Sequence, residues 1–236
     1  MDASPFRFVL TDGQLAVSRG GREWQRLPLA ELPVAFLEWQ TRSRLSLFQR
    51  LEQGESAGPG FAPHLPTLAT LSPETLHPVN LVAKGMGLLP RPAHLETVTA
   101  AMEQAAQETA HLPWGQGRRQ RLAAARRFYD SPEGIDRRCL GGLEIFETGT
   151  FRNLQACPAA SLLYVGPGPH YLSFQFNGLV QFVAHGDPRF RFLRAVRGLF
   201  EHDPFHFQQP DYPWAYLFWV TEVKDKSLKL RREESR

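Results

Sequence analysis

A run of arginines is the densest group of chemically capable side chains in this sequence. Five of them fall within ten residues of the segment 116–129. Guanidinium groups bind phosphates and carboxylates through several donors held in a fixed geometry. The segment therefore predicts contact with an acidic protein or a nucleic acid through Arg118, Arg119, Arg121, Arg126 and Arg127. The alternative is the solvated basic face of an amphipathic helix that turns Leu122 and Phe128 inward.

Histidines and carboxylates near the C-terminus are candidates for a metal or acid–base site. His185, His202 and His206 lie near Asp187, Asp203 and Asp211 in the sequence. Their spacing follows no metal-ligand pattern, and the two cysteines have no CxxC spacing. No Gly-x-Ser-x-Gly or HExxH motif and no pair of catalytic carboxylates stands out. The sequence predicts no metal site and leaves open whether the protein is an enzyme.

Aromatic residues are concentrated between positions 205 and 219. Such a stretch, interleaved with glutamine and proline, is typical of a pocket for a planar ring or of a partner surface, and Trp214 is its candidate contact. The alternative is that these rings pack into the core.

Composition indicates an ordinary globular protein. The chain has 236 residues, of which 42% are hydrophobic and 22% charged, with a net charge of +3. So small a net charge gives no global reason to expect a nucleic-acid or membrane partner, so any such partner must bind a local cluster. No signal peptide and no apolar run of membrane-spanning length is visible, and we expect a cytoplasmic protein with two reduced thiols, Cys139 and Cys157.

The elements that would position these residues fall into three spans. Residues 1–53 predict a β-meander, with turns at Asp12-Gly13 and Gly20-Gly21, followed by a helix over 29–51. Residues 54–93 are rich in proline and glycine and predict a loop-rich connection: a lid, a wrap over the core or a linker. Residues 94–236 predict helices over 94–111, 116–129 and 187–202, a short helix over 151–156, and strands over 143–147, 160–165, 171–183 and 214–223. A hairpin turn is predicted at 166–169.

The clearest strand is 171–183. Leu172, Phe174, Phe176, Val180 and Phe182 share one parity, while polar side chains occupy much of the other. This period of two predicts a strand with one face on a core and the other on water, a neighbour or a ligand. The fold class that follows is α+β.

The segment 149–163, which reads GTFRNLQACPAASLL, resembles the FMN-binding split β-barrels of the pyridoxamine-phosphate-oxidase-like superfamily. In that family a short helix of the form Arg-Asn-Leu-x-x-x-Pro leads into a strand of the type Ala-Ser-Leu-Leu. The likeness extends over roughly residues 140 to 225 and includes Phe176-Asn177-Gly178 and the helix after His185. It implies a split-barrel-like antiparallel sheet in the C-terminal half and a homodimer with the ligand between subunits.

The resemblance also implies a site for FMN or a related planar molecule. The residues it places there are Thr148, Thr150, Arg152, Asn153 and Gln175. Family members that hold FMN usually present Lys or Arg just before the Arg-Asn-Leu element, whereas this chain has Thr150 there. The sequence therefore favours a non-catalytic or cofactor-poor binding or assembly protein. An FMN-dependent oxidoreductase or flavin-binding protein, and a protein that binds nucleic acid or an acidic partner through 116–129, are the alternatives.

Overall fold

The computed structural model describes residues 6–11, 13–20, 24–55, 63–72, 75–166, 171–201 and 211–228. Within them lie a three-stranded and a seven-stranded antiparallel sheet and five α-helices. The strands are β1 (Phe6–Thr11), β2 (Gln14–Arg19), β3 (Gln25–Pro28), β4 (Thr67–Leu71), β5 (Val79–Ala83), β6 (Gly87–Pro90), β7 (Ile135–Leu143), β8 (Ala159–Gly166), β9 (Leu172–Val183) and β10 (Ala215–Asp225). The helices are α1 (Val34–Glu52), α2 (Pro92–Glu108), α3 (Trp114–Tyr129), α4 (Gly149–Ala156) and α5 (Pro188–Phe200).

The three strands of the N-terminal meander form as predicted, while Asp12 and Gly21 of the two predicted turns lie outside the described residues. Gly13 and Gly20 adopt φ values of +76° and +55°, a left-handed conformation that glycine reaches without a steric cost. The order of the sheet is β1-β2-β3, and β2 buries Leu15 and Val17 on the core side. A backbone hydrogen bond of 2.9 Å from the Ala30 N–H to the Val220 carbonyl ties the chain after β3 to β10.

The larger sheet has the order β5-β4-β8-β9-β10-β7-β6, with every neighbouring pair antiparallel. Its longest pairing joins β9 to β10, with a bulge between Val220 and Glu222. Gly178 faces this bulge so closely that an added β-carbon would lie 2.1 Å from the Trp219 carbonyl oxygen. The prediction of an α+β protein with a split-barrel-like antiparallel sheet in its C-terminal half, an N-terminal meander and helices is confirmed.

An aromatic cluster fills the inner face of this sheet. Phe36, near the start of α1, makes edge-to-face contacts with Tyr164, Phe174 and Phe176 at centroid distances of 4.9, 5.5 and 4.8 Å. All four rings are almost completely buried. Aromatic pairs in this geometry are worth about 0.5–1.5 kcal/mol beyond the area that they bury. The alternating phenylalanines of β9 therefore face the core, as predicted.

Two parts of the chain differ from the sequence-based expectation. The segment 54–93, predicted to be a loop-rich connection, contributes β4, β5 and β6 to the large sheet. Pro66 and Pro78 directly precede β4 and β5, where a missing N–H costs no ladder hydrogen bond. The strand predicted at 143–147 instead ends at Leu143, because the Glu144 carboxylate accepts the backbone N–H groups of residues 145 to 147 and turns the chain.

Helix α5 begins and ends close to the predicted positions. Pro188 is its first residue, and the Asp187 carboxylate accepts the Arg189 backbone N–H at 2.7 Å. No helix of the described residues combines the length and the apolar character that crossing a membrane requires.

Candidate functional site

The first group of predicted site residues surrounds α4. The Asn80 side-chain amide donates to the hydroxyl oxygens of Thr150 (3.0 Å) and Thr70 (3.3 Å), and the Asn153 amide donates to Thr70 (3.2 Å). Thr70 has no exposed surface, and Thr150 is buried. The structure thus brings Thr150 and Asn153 together, but their polar groups fasten α4 to β4 and β5.

Two other predicted cofactor residues of the same segment face outward. Thr148 precedes α4 as its N-cap without a side-chain capping bond, and its side chain is exposed. Arg152 is exposed on the first turns of the helix. Phe146, just before them, is 61% exposed. This short stretch offers one cation, one hydroxyl and one ring to a ligand.

Gln175 lies apart from this group. Its amide donates to the Asn177 side-chain oxygen at 2.9 Å, and Ser161 donates to the same oxygen at 2.7 Å. In the strand register Thr70 pairs with Ala160 and Ala160 with Gly178, so Gln175 and Thr70 project from opposite faces of the sheet. The structure therefore does not bring Gln175 to the group around α4.

A buried ion pair near this group carries no local sequence signal. The Lys84 ammonium lies 2.8 Å from the Glu144 carboxylate and 4.6 Å from the centre of the Tyr216 ring. The other Glu144 oxygen accepts three backbone N–H groups at 2.8 to 3.0 Å. Burial lowers the pKa of Lys84, and the Glu144 charge opposes that effect. The pair joins the end of β5 to the end of β7, which are far apart in the sheet order.

The most unusual surface is the outer face of β4, β5 and β8, which we call the apolar sheet face. By register its side chains project to one side of three neighbouring strands, and each is between 37% and 63% exposed: Leu71, Val79, Leu81, Leu163 and Val165. A shallow cavity of about 210 Å³ lies at its margin against Leu65 and Pro66. The largest apolar patch on a monomeric protein is often functional, so the face indicates an interaction surface.

The arginine-rich segment forms α3, but its five arginines do not share one environment. Arg121 is completely buried and donates to the Thr109 hydroxyl at 2.7 Å and to the Thr109 carbonyl, so it holds α3 to the end of α2. Arg126 lies 3.5 Å from Glu52 of α1, and Arg118 lies against Gly54. Arg119 and Arg127 are exposed. Trp214, at the start of β10, is half-buried, and its carbonyl accepts the Glu144 N–H.

The remaining candidates give little chemistry. His185 lies 3.4 Å from Asp211, with both side chains well exposed. Among the residues that the structure describes, no three His, Cys, Asp or Glu side chains are grouped to hold a metal ion. The other histidines of the predicted set, His202 and His206, most of the turn at 166–169 and the aromatic residues 205–210 lie outside the described residues.

Neither a protein-family model nor a curated protein matches this chain. Among solved structures it is similar to a putative pyridoxamine 5′-phosphate oxidase from Listeria innocua, with 8% identity over 79% of this chain and 97% of that one and a TM-score of 0.38. It is also similar to an FMN-binding protein from Syntrophomonas wolfei subsp. wolfei (9% identity, 83% and 95% covered, TM-score 0.39). It is similar, too, to the heme storage protein HutZ from Vibrio cholerae (11% identity, 75% of this chain and 90% of that one covered, TM-score 0.33). The likeness is one of overall fold, at low identity. One of the matched structures carries the name of the superfamily that residues 149–163 resemble.

Proposed function

We propose that this protein is a non-catalytic binding or assembly protein that forms a homodimer through its apolar sheet face. The observation that carries the proposal is the set of five exposed aliphatic side chains on β4, β5 and β8. Leaving such side chains in water is unfavourable, and covering them with matching apolar surface recovers about 25 cal/mol for each Å² buried. An apolar face without a cover therefore favours association.

The border of the face favours a second copy over a strongly charged partner. Glu222 and Lys224 flank it on β10 at 3.2 Å from each other, so they cancel in charge. The Asn177 amide and Lys224 lower the pKa of Glu222, which stays ionised. A two-fold axis would bring this neutral, apolar centre onto itself, with the polar residues of β9 and β10 as its rim.

The extent of the face fits the centre of such an interface. Three strands about 4.8 Å apart, with about five residues each at about 3.4 Å, give a footprint of roughly 300 Å² once side chains are included. A stable interface covers about 800 Å² on each partner. The dimer must therefore also cover the polar border formed by Gln175, Asn177 and Glu222.

A non-catalytic role is supported by the way the polar residues near α4 are used. Asn80 and Asn153 bond to Thr70 and Thr150, and Lys84 bonds to Glu144, so these groups satisfy one another. Buried polar groups with such partners stabilise the fold, whereas a catalytic group needs an open direction toward its substrate.

The dimer is tested by measuring the solution mass with light scattering over a range of concentrations. We expect twice the 26.7 kDa of the chain. Leu81→Lys and Leu163→Lys each place an ammonium group in the apolar centre, and we expect each to weaken dimerisation by about 30-fold or more.

The matched control is Leu76→Lys, at a position that is 90% exposed in the turn between β4 and β5. It adds the same charge outside the paired strands and should leave the mass unchanged. A wild-type protein that stays at the mass of one chain at every concentration would contradict the proposal, as would equal effects of all three substitutions. Circular dichroism checks that each variant is folded.

A flavin-binding protein is the second candidate, favoured by the exposed stretch before and along α4. Arg152 can pair with a phosphate, Thr148 can donate to it, and Phe146 offers a ring face for stacking. Titration with FMN, followed by desalting and a visible spectrum, tests this candidate. Retained flavin that Arg152→Glu releases and Arg127→Glu does not would support it, while loss of all flavin on desalting would leave the cofactor-poor proposal standing.

The compartment and the basic helix complete the proposal. We place the protein in the cytoplasm, in keeping with two cysteines that remain free thiols, Cys139 and Cys157. An acidic or nucleic-acid partner of α3 would be contacted through the exposed Arg119 and Arg127. Arg121 is used inside the protein.

A further inference from the structure

The outer face of the N-terminal meander carries a second, different surface. By register its side chains form two rows across the three strands. One row contains Val9, Ala16 and Arg26. The other contains Arg7 and Ser18 and reaches Trp24, which directly precedes β3. Thr11 and Gln14 extend the face at the β1–β2 turn. A shallow cavity of about 360 Å³ is lined by Val9, Thr11, Gln14, Ala16, Trp24 and Arg26.

The described charged side chains of this face are all positive. Arg7 and Arg26 are exposed on it, and the described parts of the meander, residues 6–11, 13–20 and 24–28, contain no carboxylate. Trp24 is 43% exposed beside them. An indole left in water next to guanidinium groups has no role in the core, because the opposite face of β2 supplies the buried Leu15 and Val17.

Spacing further narrows the kind of ligand. Trp24 and Arg26 are two residues apart on one strand, or roughly 7 Å, and Arg7 lies two strands away, roughly 10 Å from the β3 side. A single small anion engages only one of these groups. A chain with repeated negative charges and a flat ring at each repeat can stack one ring on Trp24 and place phosphates by both arginines.

We infer that the outer face of the meander binds single-stranded nucleic acid, with a base stacked on Trp24 and the backbone phosphates at Arg7 and Arg26. This surface is separate from the apolar sheet face and does not depend on dimerisation. It is also separate from α3, whose exposed arginines are Arg119 and Arg127. A stacked base and a basic groove of this kind recognise strands with little sequence preference.

The experiment is fluorescence anisotropy with a labelled oligouridylate of about 12 nucleotides, between roughly 50 and 200 mM salt. We expect saturable binding that weakens as salt rises. Trp24→Ala should weaken it by about fivefold or more, and Trp24→Phe should restore most of the loss because it keeps a stacking ring. Arg26→Glu should weaken binding and lower the slope of log affinity against log salt by about one or more.

The matched control is the double variant Arg119→Glu, Arg127→Glu, which changes the same kind of residue on α3. It should bind within about twofold of the wild type, because the contacts on the meander are unchanged. Loss of binding in this variant with no loss in Trp24→Ala would overturn the inference and assign nucleic-acid binding to α3 instead.

Three further outcomes would also overturn it. They are no saturable binding at the lowest salt, uridine monophosphate binding as tightly as the oligonucleotide, and an oligoglutamate peptide competing as well as the unlabelled strand. The last two would indicate a free-nucleotide pocket and an unselective polyanion surface. Leu81→Lys distinguishes the two proposals, since it should weaken the dimer and leave the binding of the strand to the meander unchanged.

Discussion

The two sheets of this protein expose faces of opposite character. The large sheet carries aliphatic side chains on the outside of β4, β5 and β8, whereas the meander presents Trp24 between Arg7 and Arg26. Exposure of aliphatic surface to water is unfavourable, but a guanidinium group and the polar edge of an indole are well solvated. We therefore expect the first face to be buried in a stable interface, whereas the second can remain exposed to solvent until it binds a polyanion.

The sheets also differ in how their inner sides are held. The large sheet depends on very close backbone approaches at Gly142 and Gly178 and on the buried pair of Lys84 and Glu144. In the described part of the meander, Leu15 and Val17 are the buried hydrophobic residues, and Phe6, Phe8 and Leu27 pack only partly buried against the core. Substitutions inside the large sheet should therefore cost much stability, and those on the meander face should change binding with little effect on stability.

The largest effect is expected from Gly142→Ala in β7. A β-carbon there would lie 1.9 Å from the Gly85 carbonyl oxygen, and a backbone atom cannot swing away as a side chain can. We expect a loss of at least about 3 kcal/mol in the free energy of unfolding, measured with urea. Gly87→Ala in the neighbouring β6 is the control, because its β-carbon would meet nothing within 4 Å. Equal losses in the two variants would mean that the close approach is not a constraint.

Removing one partner of the buried pair should have the next largest effect. Lys84→Met leaves the Glu144 carboxylate, which is 2% exposed, without its cation. We expect a loss of about 3 kcal/mol, at the low end for a broken buried pair because three backbone N–H groups still hold the carboxylate. The comparison is Arg191→Met, which removes an exposed arginine from Glu96 and Glu103 on α2.

Thermal and urea unfolding of both variants separates the two environments. Water can solvate the carboxylates that Arg191→Met leaves behind, so its loss should be far smaller. A Lys84→Met protein as stable as Arg191→Met would show that the pair does not hold β5 to β7.

How far the sequence predicts this structure depends on the distance over which each signal acts. The turns at Gly13 and Gly20, the helices and the alternation of β9 are local patterns, and the structure has them close to the predicted positions. The sequence pattern does not predict strands β4 to β6, because proline and glycine dominate the composition of 54–93. The available signal is the position of two prolines. Pro66 and Pro78 directly precede β4 and β5, so that runs of four to five residues between the prolines and glycines remain free to pair as strands.

Site residues were harder to predict for the same reason. A count of arginines does not say which of them face inward, although Arg121 shares its helical face with Ala125 and Phe128, at spacings of four and seven. That spacing was the available sign that Arg121 is buried. Lys84 and Glu144 are 60 residues apart and meet only through the sheet order, so no local pattern indicates their pairing.

The smallest effect is expected where the two sheets meet. Arg137 and Arg138 of β7 lie 3.4 and 3.6 Å from Glu31, and Asp136 accepts the Arg138 backbone N–H at 2.9 Å. Burial raises the pKa of Asp136 above its usual 3.8, and this outweighs the nearby arginines, which lower it. A carboxyl group with a raised pKa in the folded protein contributes stability below the unfolded pKa and loses that contribution as pH rises through the folded one.

At neutral pH the ionised Asp136 is therefore a cost, and Asp136→Asn should remove it while keeping the oxygen that accepts the Arg138 N–H. We expect a small gain in the free energy of unfolding at pH 7 that shrinks to nothing as the pH falls toward 3.8. The exposed Glu133→Gln serves as the control for removing a charge from the same region. A loss at neutral pH would mean that attraction to the nearby arginines outweighs the cost of burial.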